Sequence, residues 1–366
     1  MDTVPIAFCQ HLCDILLWKD SGLLSLSEVD KLSGNFGKCA RFASHRTAQF
    51  FAYKMESETV YYRRRKLETP EEINAVPKKF VRFVWITLHN EEDQNVCRAL
   101  VKRFPYAFFT FWLQSPSITE AWVNFVCSLK KPASIEIWEG LDSHAASLFQ
   151  KIIAHGKITE LKMIEDIAKD GTLELLKSIL CQDQFKELTI FSLSDNESWK
   201  SDVISELLQF WSENSEKFRG KSLLLKNNCK GGVEQLQDFV LRRAASRPTD
   251  VSGLQEAMEE DPGTLAEPWK NTVVHENLQM ALEVCSKEEC DSINKYYRYH
   301  HTQFAKPSCV YKYEEGEGEE RRRLYISFDC AGYTERYRRC KLPASPSGNK
   351  DAGLMRSTDL LHVLFA

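Results

Sequence analysis

The sequence predicts an α/β protein built as a strand–helix solenoid, a parallel sheet with helices outside, with a small N-terminal helical unit and a C-terminal β-hairpin. Three observations predict this. Apolar-x-apolar pairs recur at Val84/Ile86, Phe109/Phe111, Ile135/Ile137, Leu161/Met163, Leu188/Ile190 and Leu223/Leu225, about 26 residues apart except for a longer last interval. Each interval holds apolar residues at helical spacing, such as Leu148, Phe149, Ile152 and Ile153. A helix between successive strands makes them parallel with right-handed crossovers, and repeating that unit curls the sheet into an arc.

Along the chain, residues 1–55 read as a compact helical unit. Cys9, Leu12, Cys13 and Leu16 follow i, i+3, i+4, i+7 spacing behind Pro5, which suits a first helical turn, and Gly22 follows the helix end. Further helices are expected at 25–32 and 39–51. Residues 56–78 read as a linker, and the repeat array occupies 79–243. Its strands, such as FVRFVWITL and AFFTFWL, are rich in β-branched and aromatic residues. Proline, glycine and acidic residues in 244–272 indicate a loop. In 273–340 a helix over 277–300 precedes a hairpin, whose strands 308–313 and 324–328 flank the charged turn EEGEGEERRR. The segment 341–366 contains KLPASPSGNKDAG and is expected to be a disordered tail.

Composition narrows function. The 366 residues are 43% hydrophobic, enough for a substantial core. Lys and Arg (48) nearly balance Asp and Glu (52), so no global field favours nucleic acid or an anionic membrane. The N-terminus lacks the basic and uninterrupted apolar regions of a secretory signal, and no run reaches membrane-spanning length. The 12 cysteines fall in core-like segments, which points to reduced thiols in a cytoplasmic or nuclear protein rather than a secreted one.

The Leu-x-Leu strands and their period resemble leucine-rich repeats, although of the asparagine positions only Asn228, after Leu223 and Leu225, fits that pattern. A second resemblance covers nearly the whole chain. MDTVPIAF, SEKFRGKSLLLKNNCKGGVEQLQDFVLRR, CSKEECDSI and PSCVYKYEEGEGEERRRLYISFDCA are similar to a large family of nematode F-box-like proteins. That resemblance implies recruitment of a Skp1-type adaptor by the N-terminal helices, with Val4, Pro5, Leu12 and Leu16 as docking residues, and selection of a substrate for ubiquitination by the repeats. The stretch GKCARFASHR offers Phe42 where an F-box carries a tryptophan.

Strand alternation points residues three after each first anchor away from the helices, which places Trp112, Trp138, Ile164 and Phe191 on one face as a partner-binding strip. The alternative is that this face is covered, since parallel sheets are commonly buried on both sides. Cys285, Cys290, His300 and His301 have C-x4-C-x9-H-H spacing, looser than structural zinc sites use, so no metal is expected. Tyr61 to Lys66 (YYRRRK) mixes aromatic and cationic residues as single-strand binders do, yet one such cluster in a net-acidic chain more often marks a solvated loop. Glu314 to Glu320 against Arg321 to Arg323 reads as a self-neutralising hairpin tip. The sequence contains no phosphate loop, G-x-G-x-x-G, H-E-x-x-H or G-x-S-x-G motif. The expectation is a non-enzymatic protein-interaction protein without cofactor. It would be an F-box-like substrate adaptor of a cullin-type ubiquitin ligase, or else a scaffold without ligase docking or a nucleic-acid module using Tyr61 to Lys66.

Overall fold

The computed structural model describes residues 4–19, 33–53, 57–62, 65–89, 91–168, 171–193, 199, 201–245, 277–297, 302–316, 318, 321–332, 335 and 341–366. The chain divides into two compact units, Met1–Lys162 and Met163–Ala366. The fold class is α/β, with parallel strands flanked by antiparallel ones in each unit.

In the first unit α1 (Ile6–Lys19) pairs with α2 (Gly34–Arg46) through the small residues Cys9, Cys13, Cys39 and Ala40. Strand β1 (Ala48–Tyr53) follows, then β2 (Ser57–Tyr62), β3 (Arg65–Leu67) and α3 (Pro70–Ala75). Thr69 caps α3: its Oγ1 accepts from Glu72 N at 3.3 Å, and Pro70 fills the first turn, where its missing N–H costs nothing. Then come β4 (Val81–Leu88), α4 (Glu91–Arg103), β5 (Phe108–Leu113), α5 (Glu120–Cys127), β6 (Ala133–Ile137) and α6 (Ser143–Ala154). The strands lie in the order β3-β2-β1-β4-β5-β6. β1, β4, β5 and β6 are parallel, while the β1/β2 and β2/β3 pairs are antiparallel.

The apolar anchors bury against the helices as strand alternation requires. Phe111 meets Trp122 and Phe125 of α5 edge-on, with ring centroids 5.7 and 6.4 Å away. Thr119 and Asp142 cap α5 and α6 by accepting from Trp122 N and Ala145 N. The anchors do not align row by row. Val84 faces Phe109, but Phe111 faces Ile135, a two-residue slip that preserves which face each side chain takes and changes its height.

β7 (Ile158–Ile164) spans the division between the units. The second unit contains α7 (Gly171–Leu180), β8 (Glu187–Phe191), α8 (Val203–Phe218), β9 (Ser222–Lys226) and α9 (Lys230–Ala245). Beyond them are β10 (Glu283–Val284), α10 (Lys287–Tyr297), β11 (Gln303–Phe304), β12 (Tyr311–Glu315), β13 (Arg322–Phe328), β14 (Leu342–Pro343) and β15 (Leu360–Phe365). The order there is β8-β9-β15-β13-β12-β10, with β11 and β14 forming a separate pair. Asn227 and Asn228 turn the chain from β9 into α9 with φ of 57° and 33°, a left-handed conformation that asparagine tolerates. Gly231 and Gly232 follow because the Trp199 indole lies over them: a Cβ would come within 2.6 and 2.9 Å of its carbons.

A lysine ahead of a strand repeatedly reaches back to the helix–strand connection of the repeat before it. Lys131 Nζ reaches Tyr106 O (3.4 Å), Lys157 Nζ reaches Leu129 O (2.7 Å), and Lys221 Nζ reaches Leu180 O (2.7 Å) and Lys217 O. Leu180 and Lys217 lie in the last turns of α7 and α8, where carbonyls lack intrahelical partners and attract cations, so Lys221 ties both helix ends to the start of β9.

Four expectations need correction. Residues 39–51 are not one helix: α2 stops at Arg46 and β1 begins at Ala48, because Phe50 pairs with Val84 and packs on Phe104 at 4.8 Å. Residues 56–78 are not a linker, since β2, β3 and α3 occupy them. The helix expected over 277–300 is interrupted by β10. α10 restarts through a reciprocal cap in which Ser286 N donates to Glu289 Oε2 and Glu289 N to Ser286 Oγ. The segment 341–366 is folded: LLHVLF forms β15, which lies between β9 and β13 and pairs with both. The helix expected at 25–32 and most of the loop expected at 244–272 lie outside the described residues.

Candidate partner-binding face

In the first unit the helices α4 to α6 pack on one face of the sheet, where Val84, Ile86, Phe109, Phe111, Ile135 and Ile137 are buried. The opposite face carries the other half of each alternating strand. Along it, Tyr61 of β2 stands edge-on to Phe51 of β1, with centroids 5.6 Å apart. Phe51 stacks on Trp85 of β4 at 4.4 Å and 5°. Further along, Trp112 of β5 and Trp138, just after β6, approach to 6.3 Å at 46°. Tyr61 is exposed, and Phe51, Trp85, Trp112 and Trp138 are half-buried. Thr87 and Thr110 are buried between them.

The register slip explains the Trp112–Trp138 geometry. Trp112 sits level with Glu136, while Trp138 lies two residues further on and donates its backbone N–H to Leu113 O at 2.9 Å. The two indoles therefore meet diagonally rather than side by side. Glu136, buried, forms an ion pair with Lys162 Nζ at 2.6 Å, so a neutralised polar pair borders the rings.

The other two residues of the expected strip belong to the second unit and differ in exposure. Ile164 ends β7 at 7% exposure and Phe191 ends β8 at 8%, so both are buried rather than offered to a partner. The structure adds Phe51, Trp85 and Tyr61 to the face. The signal for Phe51 and Tyr61 is the aromatic alternation of QFFAY and SETVYY, in residues that read as helix and linker, whereas Trp85 lies one residue after the Val84 anchor in the expected strand FVRFVWITL.

Among the expected docking residues, Val4 is half-buried and packs on the Cys9/Cys13/Cys39/Ala40 cluster, while Pro5 is exposed and its carbonyl accepts from Phe8 N and Cys9 N. Leu12 is half-buried. Leu16 lies on α1, with its side chain outside the described residues. Ile6 and Phe8 of α1 are exposed.

Cys285 and Cys290 are buried beside Ile293, Tyr325 and Leu364. A hydrogen bond between their thiols, with burial, raises the Cys285 pKa, and the same bond lowers that of Cys290. His300 and His301 lie outside the described residues, and among the described residues no cluster of His, Cys, Asp or Glu is arranged to hold a metal ion. From Tyr61 to Lys66, Arg65 pairs with Glu72 at 2.8 Å and Lys66 with Glu68; Arg63 and Arg64 lie outside the described residues. At the hairpin tip Arg321 and Arg323 pair with Glu314, and Arg322 with Glu315. No helix among the described residues is long and apolar enough to cross a membrane, and the described cysteines are free thiols.

Comparison with family models, curated proteins and solved structures finds no match to this chain.

Proposed function

We propose that this is a protein-interaction protein that performs no chemistry and binds a partner through the sheet face of its first unit opposite α4 to α6. The observation that carries this is the Phe51/Trp85 stack followed by the Trp112/Trp138 pair, all half-exposed on one face. Rigid aromatic groups with neutral surroundings make strong anchors once a partner desolvates them. The strand–helix succession behind it is read as leucine-rich-repeat-like, and the free thiols fit work in the cytoplasm or nucleus.

A second reading is the F-box-like adaptor, with α1 and α2 recruiting a Skp1-type protein and the aromatic face holding a substrate. It is favoured by Ile6 and Phe8, large apolar groups exposed on α1.

The test is affinity capture with Trp112→Ala and Trp138→Ala chains. The expected result is loss of a partner captured by the wild-type chain, with melting within a few degrees of it. A collapse in melting temperature would show the strip to be core. For the adaptor reading, Ile6→Asp with Phe8→Asp should abolish capture of a Skp1-type protein; point substitutions are used because removing residues 1–55 would also remove β1 from the sheet. Failure of the intact chain to bind a Skp1-type protein would end that reading.

A further inference from the structure

A groove of about 560 Å³ opens in the first unit where α1 and α2 meet the start of β4, away from the aromatic strip in its lining residues. Phe42, Phe80 and Tyr106 supply its large apolar groups, and Phe42 and Tyr106 are exposed. Arg46, Lys79 and Arg82 reach it, and among the described residues its lining holds no carboxylate. The rings and cations are organised together. Phe42 and Phe80 meet edge to face at 6.4 Å. The Arg46 guanidinium lies 3.9 Å from the Phe42 centroid and 5.5 Å from that of Phe80, while Lys79 Nζ is 5.2 Å from Phe80.

Positive potential gathers at this corner. Lys131, whose Nζ reaches Tyr106 O, has its pKa lowered to about 8, first by burial and then by the charge of Arg82.

We propose that this groove docks an acidic peptide segment of a partner protein, with an apolar side chain seated among Phe42, Phe80 and Tyr106 and carboxylates paired to Arg46, Lys79 and Arg82. Charge complementarity selects the occupant: three cations on an apolar wall favour carboxylates flanking an apolar anchor. Single-stranded nucleic acid fits less well. Stacking needs an open ring face, and Arg46 already covers Phe42, while the chain as a whole is net acidic at −4. A guanidinium held against a ring still offers its outer edge for bidentate pairing with a carboxylate.

The test is fluorescence anisotropy on the full chain with a fluorescein-labelled peptide alternating glutamate with leucine and phenylalanine, its glutamine counterpart, and a short oligodeoxythymidylate. The glutamate peptide is expected to bind, with affinity falling as salt rises, and the glutamine peptide to bind at least about tenfold more weakly. Lys79→Glu, at an exposed position, should weaken binding about tenfold with melting unchanged, and Arg46→Glu should weaken it further. Trp112→Ala should bind as the wild type does, which separates this groove from the aromatic face. Equal binding of both peptides, or Lys79→Glu binding unchanged, would overturn the proposal. So would preference for the oligonucleotide, which would make this a nucleic-acid surface. Absence of peptide binding would also overturn it.

Discussion

The sheets of the two units are built from similar strands, yet their second faces differ. In the first unit the face opposite the helices ends in half-exposed aromatic rings. In the second, α8 packs one face, where Trp211 and Phe218 lie 5.9 and 5.1 Å from Phe365 of β15. On the other face α10 brings Cys290 and Ile293 against Tyr325 and Leu364. Aromatic residues on a strand are therefore core or anchor according to whether a later segment returns over them. In the second unit that segment lies between β9 and β15.

This contrast can be broken by substitution. The largest effect is expected at Phe365→Ala, which empties a fully buried aromatic site and should cost about 3–5 kcal/mol in urea unfolding. A cost near that of a surface change would mean that β15 is peripheral to the second unit.

Next comes His362, buried on β15 with Nε2 2.9 Å from Ser222 Oγ. Burial, with Lys226 nearby, lowers its pKa from 6.5 to about 3. The unfolded chain then binds a proton near pH 6.5 that the folded chain refuses, so stability is full above that pH and falls as pH drops from 6.5 towards 3. The loss attributable to this group is on the order of a few kcal/mol. His362→Gln should flatten that part of the stability-against-pH curve relative to wild type, and identical curves would show that the site is hydrated.

The smallest effect is expected at Trp85→Ala on the open face, about 1–2 kcal/mol, since the ring is only partly removed from water. A loss as large as that of Phe365→Ala would show the two faces to be equally core.

Much of the candidate site was legible because it depends on alternation alone: Trp112 and Trp138 lie opposite the helices, and a two-residue register slip does not change the face. Ile164 and Phe191 satisfied the same alternation and are nevertheless buried, since alternation assigns a direction and not a covering. Phe51 and Tyr61 are not legible in this way, because Phe51 falls in the helical pattern of 39–51 and Tyr61 in the stretch 56–78, which reads as a linker. The strand conformation of Phe51 rests on pairing Ala48–Tyr53 between the adjacent strand β2 and β4, which lies about thirty residues further along the chain.

The sequence by itself determined where β4 to β9 begin, which residues anchor them and where helices return, because strand and helix periods are local properties of the chain. Tertiary structure decided that 341–366 ends in β15, that β1 to β3 extend the first sheet, and which sheet face is covered. Those outcomes turn on hydrogen-bond partners far away in sequence, Leu361 with Leu225 and Phe50 with Val84, and no local period encodes such a choice.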